Sequence, residues 1–373
     1  MAFGRPGAPE VSTEDPVLQA LVERVRAARV DRSRLSIRGG GSKDFYGAPA
    51  LGELLDVRGL AGISSYEPTE LVVSARCGTP LAELEAVLAA QGQCLPFEPP
   101  HFGPGATVGG MVAAGLAGPA RASAGGVRDY ILGATLLNGR AEVLTFGGQV
   151  MKNVAGYDVS RLLAGSLGTL GVICEVSLKV LPRPRASATL RFEMDQEPAL
   201  RQLNAWAGRP LPLSASAWWE GVLVLRLQGA AAAVESAAAA LGGETIADDA
   251  ARAFWSGLRE QSDEFFAAAA AAVAADPSQR LWRLSLPQTA APLLAQAGPQ
   301  LVEWGGAQRW VLSAAPAAEV RAAAAAAGGH ATIFRVRDKS PGTFTSPSAP
   351  LARIQRELRR AFDPDGVFDT GRL

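Results

Sequence analysis

Apolar residues at Val17, Leu18, Leu21, Val22 and Val25 recur three and four apart, the period of a helix with one buried face. Asp15-Pro16 in front of them supplies an N-cap and a first helical residue. Leu35-Ser36-Ile37 reads as a short strand that runs directly into Arg38-Gly39-Gly40-Gly41-Ser42. A second strand is expected over residues 71–75, and Thr79-Pro80 then caps a helix ending near Gly92. Strand patterns follow near 130–137 and 142–146, and a last block over 165–180 ends on Leu181-Pro182-Arg183-Pro184. Proline cannot donate to a sheet ladder, and the composition changes at this point, so a boundary is placed near 185.

Beyond it the pattern repeats. Val234-Glu235-Ser236 with its alanine run and Gly242-Gly243 is echoed 86 residues later by Val320-Arg321, a second alanine run and Gly328-Gly329. Trp218 and Trp304 keep the same shift, as do Val224-Leu225 and Trp310-Val311. Each copy, near 188–247 and 280–337, reads as strand, helix, two strands, helix, strand: a βαββαβ unit present twice. Adjacent Trp218 and Trp219 on one strand must face opposite ways, and one of the tryptophans is a candidate subunit contact. Residues 338–350, rich in Ser, Pro, Gly and Thr, read as a loop. A final helix aligns Leu351, Ile354, Leu358 and Phe362 before the chain ends in FDPDGVFDTGRL.

Composition narrows the function. Among 373 residues, 36 basic residues balance 36 acidic ones, so no broad positive field is available for nucleic acid. Cys77, Cys94 and Cys174 form no C-x-x-C pair, and His101 and His330 are the two histidines, a set that suits neither a zinc site nor an iron–sulfur cluster. The first residues lack the apolar core of a signal peptide, and no apolar run is long enough to span a bilayer, so a cytoplasmic location is expected.

The distinctive feature is glycine. Arg38 to Ser42 after a strand exposes several backbone N–H groups without Cβ obstruction, a concave nest suited to a pyrophosphate; the same residues also describe a plain tight turn. Gly-Lys never occurs, which excludes a Walker loop, and Gly103 to Val108 breaks the nicotinamide fingerprint at its sixth place. Further glycine clusters stand at Gly105 to Gly110, Gly125-Gly126 and Gly165 to Gly171. Several such loops, each joined to an apolar strand, point to backbone lying along an extended phosphate-bearing ligand.

The succession RGGGS, YEPTELVVSARCGTPLAELEAVLAAQGQCLPFEPP, GATVGGMVAAGLAGPARASAGGVRDYILG and MKNVAGYDVSRLLAGSLGTLGVICEVSLKVLPRP resembles the FAD-linked oxidases of the vanillyl-alcohol oxidase type. Within them it is similar to the FAD-binding subunits of bacterial glycolate oxidases. PFEPPHFGPGATVGG and KNVAGYDVSRLLAGSLGTLGV are its most specific stretches, and it covers residues 38–184 strongly. The resemblance implies an α+β architecture: a two-part PCMH-type FAD-binding domain over 1–185, a duplicated ferredoxin-like cap domain over 186–337, and a loop and C-terminal helix over 338–373 that return to the FAD domain. It assigns Arg38, Gly39, Gly40, Gly41 and Ser42 to the pyrophosphate loop, Thr107, Gly109 and Gly110 to a second FAD loop, and Gly125, Gly126 and Asp129 to a third. Lys152, Asn153, Tyr157 and Asp158, with Gly168, Thr169, Gly171 and Val172, match the segment beside the ribityl chain and flavin ring. RGGGSK has no His or Cys for covalent attachment, so the FAD is expected to dissociate.

Oxidising a 2-hydroxy acid further requires a base for the hydroxyl proton and a cation for the carboxylate. His101 and His330 each read more simply as structural residues, the basic run Arg335-Val336-Arg337-Asp338-Lys339 as a solvated face, and no catalytic residue is assigned. The C-terminal Asp369-Thr370-Gly371 departs from the Asn-Pro-Gly-like turn usual in the family. The resemblance therefore implies a subunit of a glycolate-oxidising complex, glycolate or D-lactate going to the 2-oxo acid. Its partners would be a larger FAD-containing catalytic subunit and an iron–sulfur subunit, in the cytoplasm or held at the membrane through them, with no metal of its own and no nucleic acid. The rival readings are an autonomous FAD-dependent 2-hydroxy-acid dehydrogenase and a structural subunit with a vestigial flavin site.

Overall fold

The computed structural model describes residues 15–148, 159–294 and 297–373. Helix α1 (Pro16–Asp31) starts where expected: the Asp15 carboxylate accepts hydrogen bonds from the N–H groups of Val17 and Leu18. Its buried stripe Leu18, Leu21, Val22, Val25 and Ala28 packs on β1 (Leu35–Arg38) and β2 (Glu53–Asp56), a two-stranded parallel sheet. A second layer holds β3 (Ile63–Glu67), β4 (Val72–Arg76), α2 (Leu81–Ala90), β5 (Gln93–Cys94), α3 (Val108–Ala114), α4 (Arg121–Ala124), β6 (Ile131–Leu137), β7 (Val143–Gly147), β8 (Val172–Lys179) and β9 (Leu181–Pro182). Here β3-β4-β8-β6-β7 form an antiparallel sheet whose core includes Leu81, Leu84, Leu88, Met111, Leu136 and Val176. Thr79 does not cap α2. Its hydroxyl donates to the Arg76 carbonyl and accepts from the Gly62 N–H, so it ties two turns together instead.

The rest of the chain forms β10 (Ala186–Glu193), α5 (Gln196–Ala207), β11 (Leu213–Trp219), β12 (Val222–Gly229), α6 (Ala231–Leu241), β13 (Glu244–Ile246), α7 (Asp248–Glu260), α8 (Glu264–Ala275), β14 (Arg280–Ser285), β15 (Gln300–Glu303), β16 (Gln308–Ser313), α9 (Ala317–Ala326), β17 (His330–Arg335) and α10 (Ala349–Phe362). Its strands make one antiparallel sheet in the order β13-β10-β12-β11-β15-β16-β14-β17. Each half runs fourth, first, third, second strand outward-in, and the two second strands meet at the centre, where Trp218 pairs with Val302. Trp218 packs with α5 and α6 on one face, while Trp219 packs with Phe265 and other residues on the opposite face.

The second half departs from the sequence reading. No helix lies between β14 and β15 among the described residues. Pro287, Pro292 and Pro299 interrupt this segment, each removing a backbone donor and clashing with a preceding turn. The fully buried Arg309 ties this segment down by donating to the carbonyls of Ala290 and Ala291, and it also donates to the Gly306 carbonyl after β15. At the C-terminus, α10 sets Leu358 and Phe362 against the core of the five-stranded sheet, with Phe362 stacked edge-on to Phe146, but leaves Leu351 and Ile354 exposed. Val367 and Phe368 then bury beside α1.

Candidate functional site

The two layers of the N-terminal half leave a cleft between them. The space it outlines, open mouth included, is about 710 Å³, and its walls come from the loop after β1, the start of α3, the turn before β8, and Arg372 near the end of the chain. The loop and α3 interlock. A Cβ at Gly40 would enter the Gly105 carbonyl oxygen, and one at Gly39 would enter the Thr107 hydroxyl. Gly41 has φ +75°, a conformation that a side chain would strain. Among the described residues, the N–H groups of Gly40, Gly41 and Ser42 have no hydrogen-bond partner, which leaves a row of donors at the cleft. Thr107 is the N-cap of α3, its Oγ1 accepting from the Gly110 N–H at 3.2 Å.

Two cations of this wall come from the same loop. Arg38 pairs with Asp44 at 2.7 Å, half-exposed. Lys43 is buried, its Nζ 3.1 Å from the His101 carbonyl oxygen and 5.5 Å from the centroid of the Phe102 ring. Burial pushes the Lys43 ammonium down to about 8, against the opposing pull of Glu260. The Cys77 thiol on the opposite wall is raised well above its ordinary value, chiefly by burial, and is not a nucleophile at neutral pH.

The structure thus gathers Arg38, Gly39, Gly40, Gly41, Ser42, Thr107, Gly109, Gly110, Gly168 and Gly171 around one cleft. Thr169 and Val172, beside them in sequence, turn away: the Thr169 hydroxyl donates to the Ser166 carbonyl, and Val172 lies in the core with α1. Gly125, Gly126 and Asp129 do not line it. They form a turn closed on itself, in which the Asp129 carboxylate accepts the Gly126 N–H and the Tyr130 hydroxyl donates to the Ala124 carbonyl. Lys152, Asn153, Tyr157 and Asp158 lie outside the described residues.

Neither histidine lines the cleft. His101 Nε2 is 3.0 Å from Glu85 Oε2, and its backbone N–H donates to Glu260. His330 is exposed at the start of β17. The basic run reads differently from a solvated face: Arg335 stacks 3.9 Å from the Phe45 ring centroid, and Lys339 reaches the carbonyls of Phe45 and Gly47. Among the cleft residues that the sequence reading did not select are two cations, Lys43 and Arg372. Lys43 adjoins the glycine run, whereas nothing along the chain links residue 372 to residue 43.

Comparison with known proteins agrees with this geometry. Residues 18–147 match the family described as FAD binding domain. The glycolate oxidase subunit GlcE of Escherichia coli is 48% identical over 355 residues, covering 95% of this chain and 97% of that protein. A D-lactate dehydrogenase of Anaerostipes hadrus is 29% identical over 51% of this chain and 40% of its own length. Among solved structures, an alkyldihydroxyacetonephosphate synthase superposes with TM-score 0.64 at 15% identity, over 95% of this chain and 76% of that one, which is a likeness of fold. The cleft and these matches define a flavoprotein of the FAD-dependent oxidoreductase class, with FAD as its cofactor. Within that class the chain belongs to the family of the glycolate oxidase subunit GlcE.

The cleft chemistry fits that cofactor. Unpaired backbone donors and basic side chains face it, and among the described residues that line it the one carboxylate, Asp44, is already engaged by Arg38. Among the described residues no helix is long and apolar enough to cross a membrane.

Proposed function

We propose that the chain is the FAD-binding subunit of a glycolate-oxidising complex, acting with a larger FAD-containing catalytic subunit and an iron–sulfur subunit that carries the electrons onward. The observation that carries this reading is the end-to-end identity with a protein named as a glycolate oxidase subunit. D-lactate is the second substrate to test, since several relatives are named D-lactate dehydrogenase. The location is the cytoplasm, in solution or beside the membrane through the partners.

In this reading residues 1–185 form the PCMH-type FAD domain, residues 186–337 a duplicated ferredoxin-like cap, and residues 338–373 return to the FAD domain. The N–H groups of Gly40, Gly41 and Ser42 hold the pyrophosphate, Arg38 and Lys43 offset its charge, and Gly109, Gly110, Gly168 and Gly171 let the backbone approach closely. FAD, when bound, supplies the two-electron acceptor for the C–H bond of the hydroxy acid. RGGGSK offers no attachment group, so the flavin is non-covalent.

Among the described residues, neither histidine supplies a base at the cleft for a hydroxy acid. His101 is committed to Glu85 and to the Lys43 wall, and His330 stands in solvent away from the cleft. This favours a subunit that works with partners over an autonomous dehydrogenase. Purified alone and loaded with FAD, the protein should keep its flavin oxidised under anaerobic glycolate, and bleaching should begin once the partner chains are added. Bleaching by the isolated chain would support the autonomous enzyme; failure to take up FAD at all would support a vestigial site. Acid denaturation should release all flavin from the polypeptide.

A further inference from the structure

The loop that offers the row of donors is long and has no strand of its own between β1 and β2. Four of its carbonyls are nevertheless gripped. Arg372 Nε donates to the Tyr46 carbonyl at 3.1 Å, and a second guanidinium nitrogen of Arg372 donates to the Lys43 carbonyl at 2.8 Å. Lys339 Nζ donates to the carbonyls of Phe45 and Gly47, at 2.7 and 2.6 Å. The backbone of the C-terminal tail completes the attachment: the Arg372 carbonyl accepts the Ala48 N–H, and the Thr370 carbonyl accepts the Leu51 N–H. Gly47 has φ +86°, and a Cβ there would press on the Arg372 carbonyl, so glycine is what lets the tail lie flat. Arg372 also lines the cleft itself, beside Arg38 and Lys43.

We propose that Arg372 and Lys339 form a clamp, carried on the C-terminal chain, that fixes the loop of residues 43–47 and so preorganises the FAD site, with Arg372 adding positive charge to the pyrophosphate end of the cleft. This rests on the reading of the cleft as the FAD site. The physical basis is the cost of ordering a flexible loop, which a preorganised site meets before the ligand arrives. Hydrogen bonds from cationic donors to carbonyls are stronger than neutral ones, and here two cations that repel each other each hold a different pair of carbonyls of the same loop. Docking of the tail and binding of FAD are then thermodynamically coupled, each strengthening the other.

The test uses the full chain, stripped of flavin and titrated with FAD by fluorescence quenching, alongside amide hydrogen exchange of the apo protein. Arg372→Ala is expected to raise the FAD Kd by about 10- to 100-fold, the loss of two charge-assisted hydrogen bonds and a local charge. Lys339→Ala, which leaves the cleft lining untouched, should raise it by a smaller factor. In both variants the Tyr46 and Ala48 amides should exchange faster than in wild type without FAD present, while the far-ultraviolet spectrum is unchanged. Wild-type Kd and wild-type exchange in these variants would overturn the clamp, and faster exchange with an unchanged Kd would overturn its link to FAD. Failure of the cleft reading looks different: the wild-type chain itself would then take up no FAD.

Discussion

Two glycine loops of the same half of the molecule meet opposite fates. In the first, Gly40, Gly41 and Ser42 keep their N–H groups free at a cleft, and the groups that could have absorbed them are engaged elsewhere, Asp44 by Arg38 and Thr107 by Gly110. In the second, the Gly125 N–H goes to the Arg121 carbonyl, the Gly126 N–H to Asp129, and the Asp129 and Tyr130 N–H groups to carbonyls within the turn. Both are glycine-rich and both join an apolar strand. The difference is where the glycine donors go: the Gly125 and Gly126 N–H groups are taken up by the Arg121 carbonyl and the Asp129 carboxylate within their own turn, whereas those of Gly40 and Gly41 face the cleft. Where the N–H groups go, rather than how many glycines there are, separates a binding loop from a turn.

The comparison can be broken at several points. The largest effect is expected from Gly40→Ala, because the added methyl would enter the Gly105 carbonyl and force the two cleft walls apart. Flavin content after purification should fall to near zero, with a loss of stability of about 1–3 kcal/mol by analogy with overpacked cores. Retained flavin with an unchanged melting temperature would show that the walls do not meet as described.

Next in size is the role of Lys43. Its ammonium is pushed down to about 8 by burial, so raising the pH through 8 to 9 removes a positive charge from the cleft wall. FAD affinity should therefore weaken over that interval, and Lys43→Met should be weaker at pH 7, by about tenfold, with a flatter pH profile. The stability sign is the reverse. The folded value lies below the ordinary 10.5, so burial of the charge opposes folding below about 8, and that opposition is relieved as pH rises toward 10.5. An affinity independent of pH between 7 and 9 in the wild type would remove Lys43 from the site.

The smallest effects belong to the second loop. Asp129→Ala should cost about 1 kcal/mol in thermal or urea denaturation, the value of a lost local cap, since it frees the Gly126 N–H. Its FAD Kd should stay within about twofold of wild type, below the tenfold that 1.4 kcal/mol represents. A tenfold weaker Kd for this variant would return the second loop to the FAD site and erase the distinction drawn above.

Much of the local structure was legible along the chain. Asp15-Pro16 announced α1, the proline pair at Pro182 and Pro184 marked the change of composition, and the tryptophan spacing exposed the repeat. The helix expected between β14 and β15 was not legible, because alanine content argued for it while three prolines argued against it, and the prolines prevail by removing donors. The apolar face of α10 was read at full length, but only Leu358 and Phe362 reach a neighbouring core, since a helix buries only the turns that a neighbour covers.

Residue types and spacing by themselves determined the glycine loops, the alternation of strands and helices, and the family resemblance, because each of these depends on backbone freedom and short-range periodicity. Tertiary structure alone decided which glycine loop faces the cleft. It also decided that Lys43 lies buried in its wall, and that Arg372 and Lys339 reach back across the chain to hold the loop of residues 43–47. Those facts follow from long-range packing of α1, β1 and the C-terminal tail into one core, and no local pattern encodes the meeting of residues some three hundred positions apart.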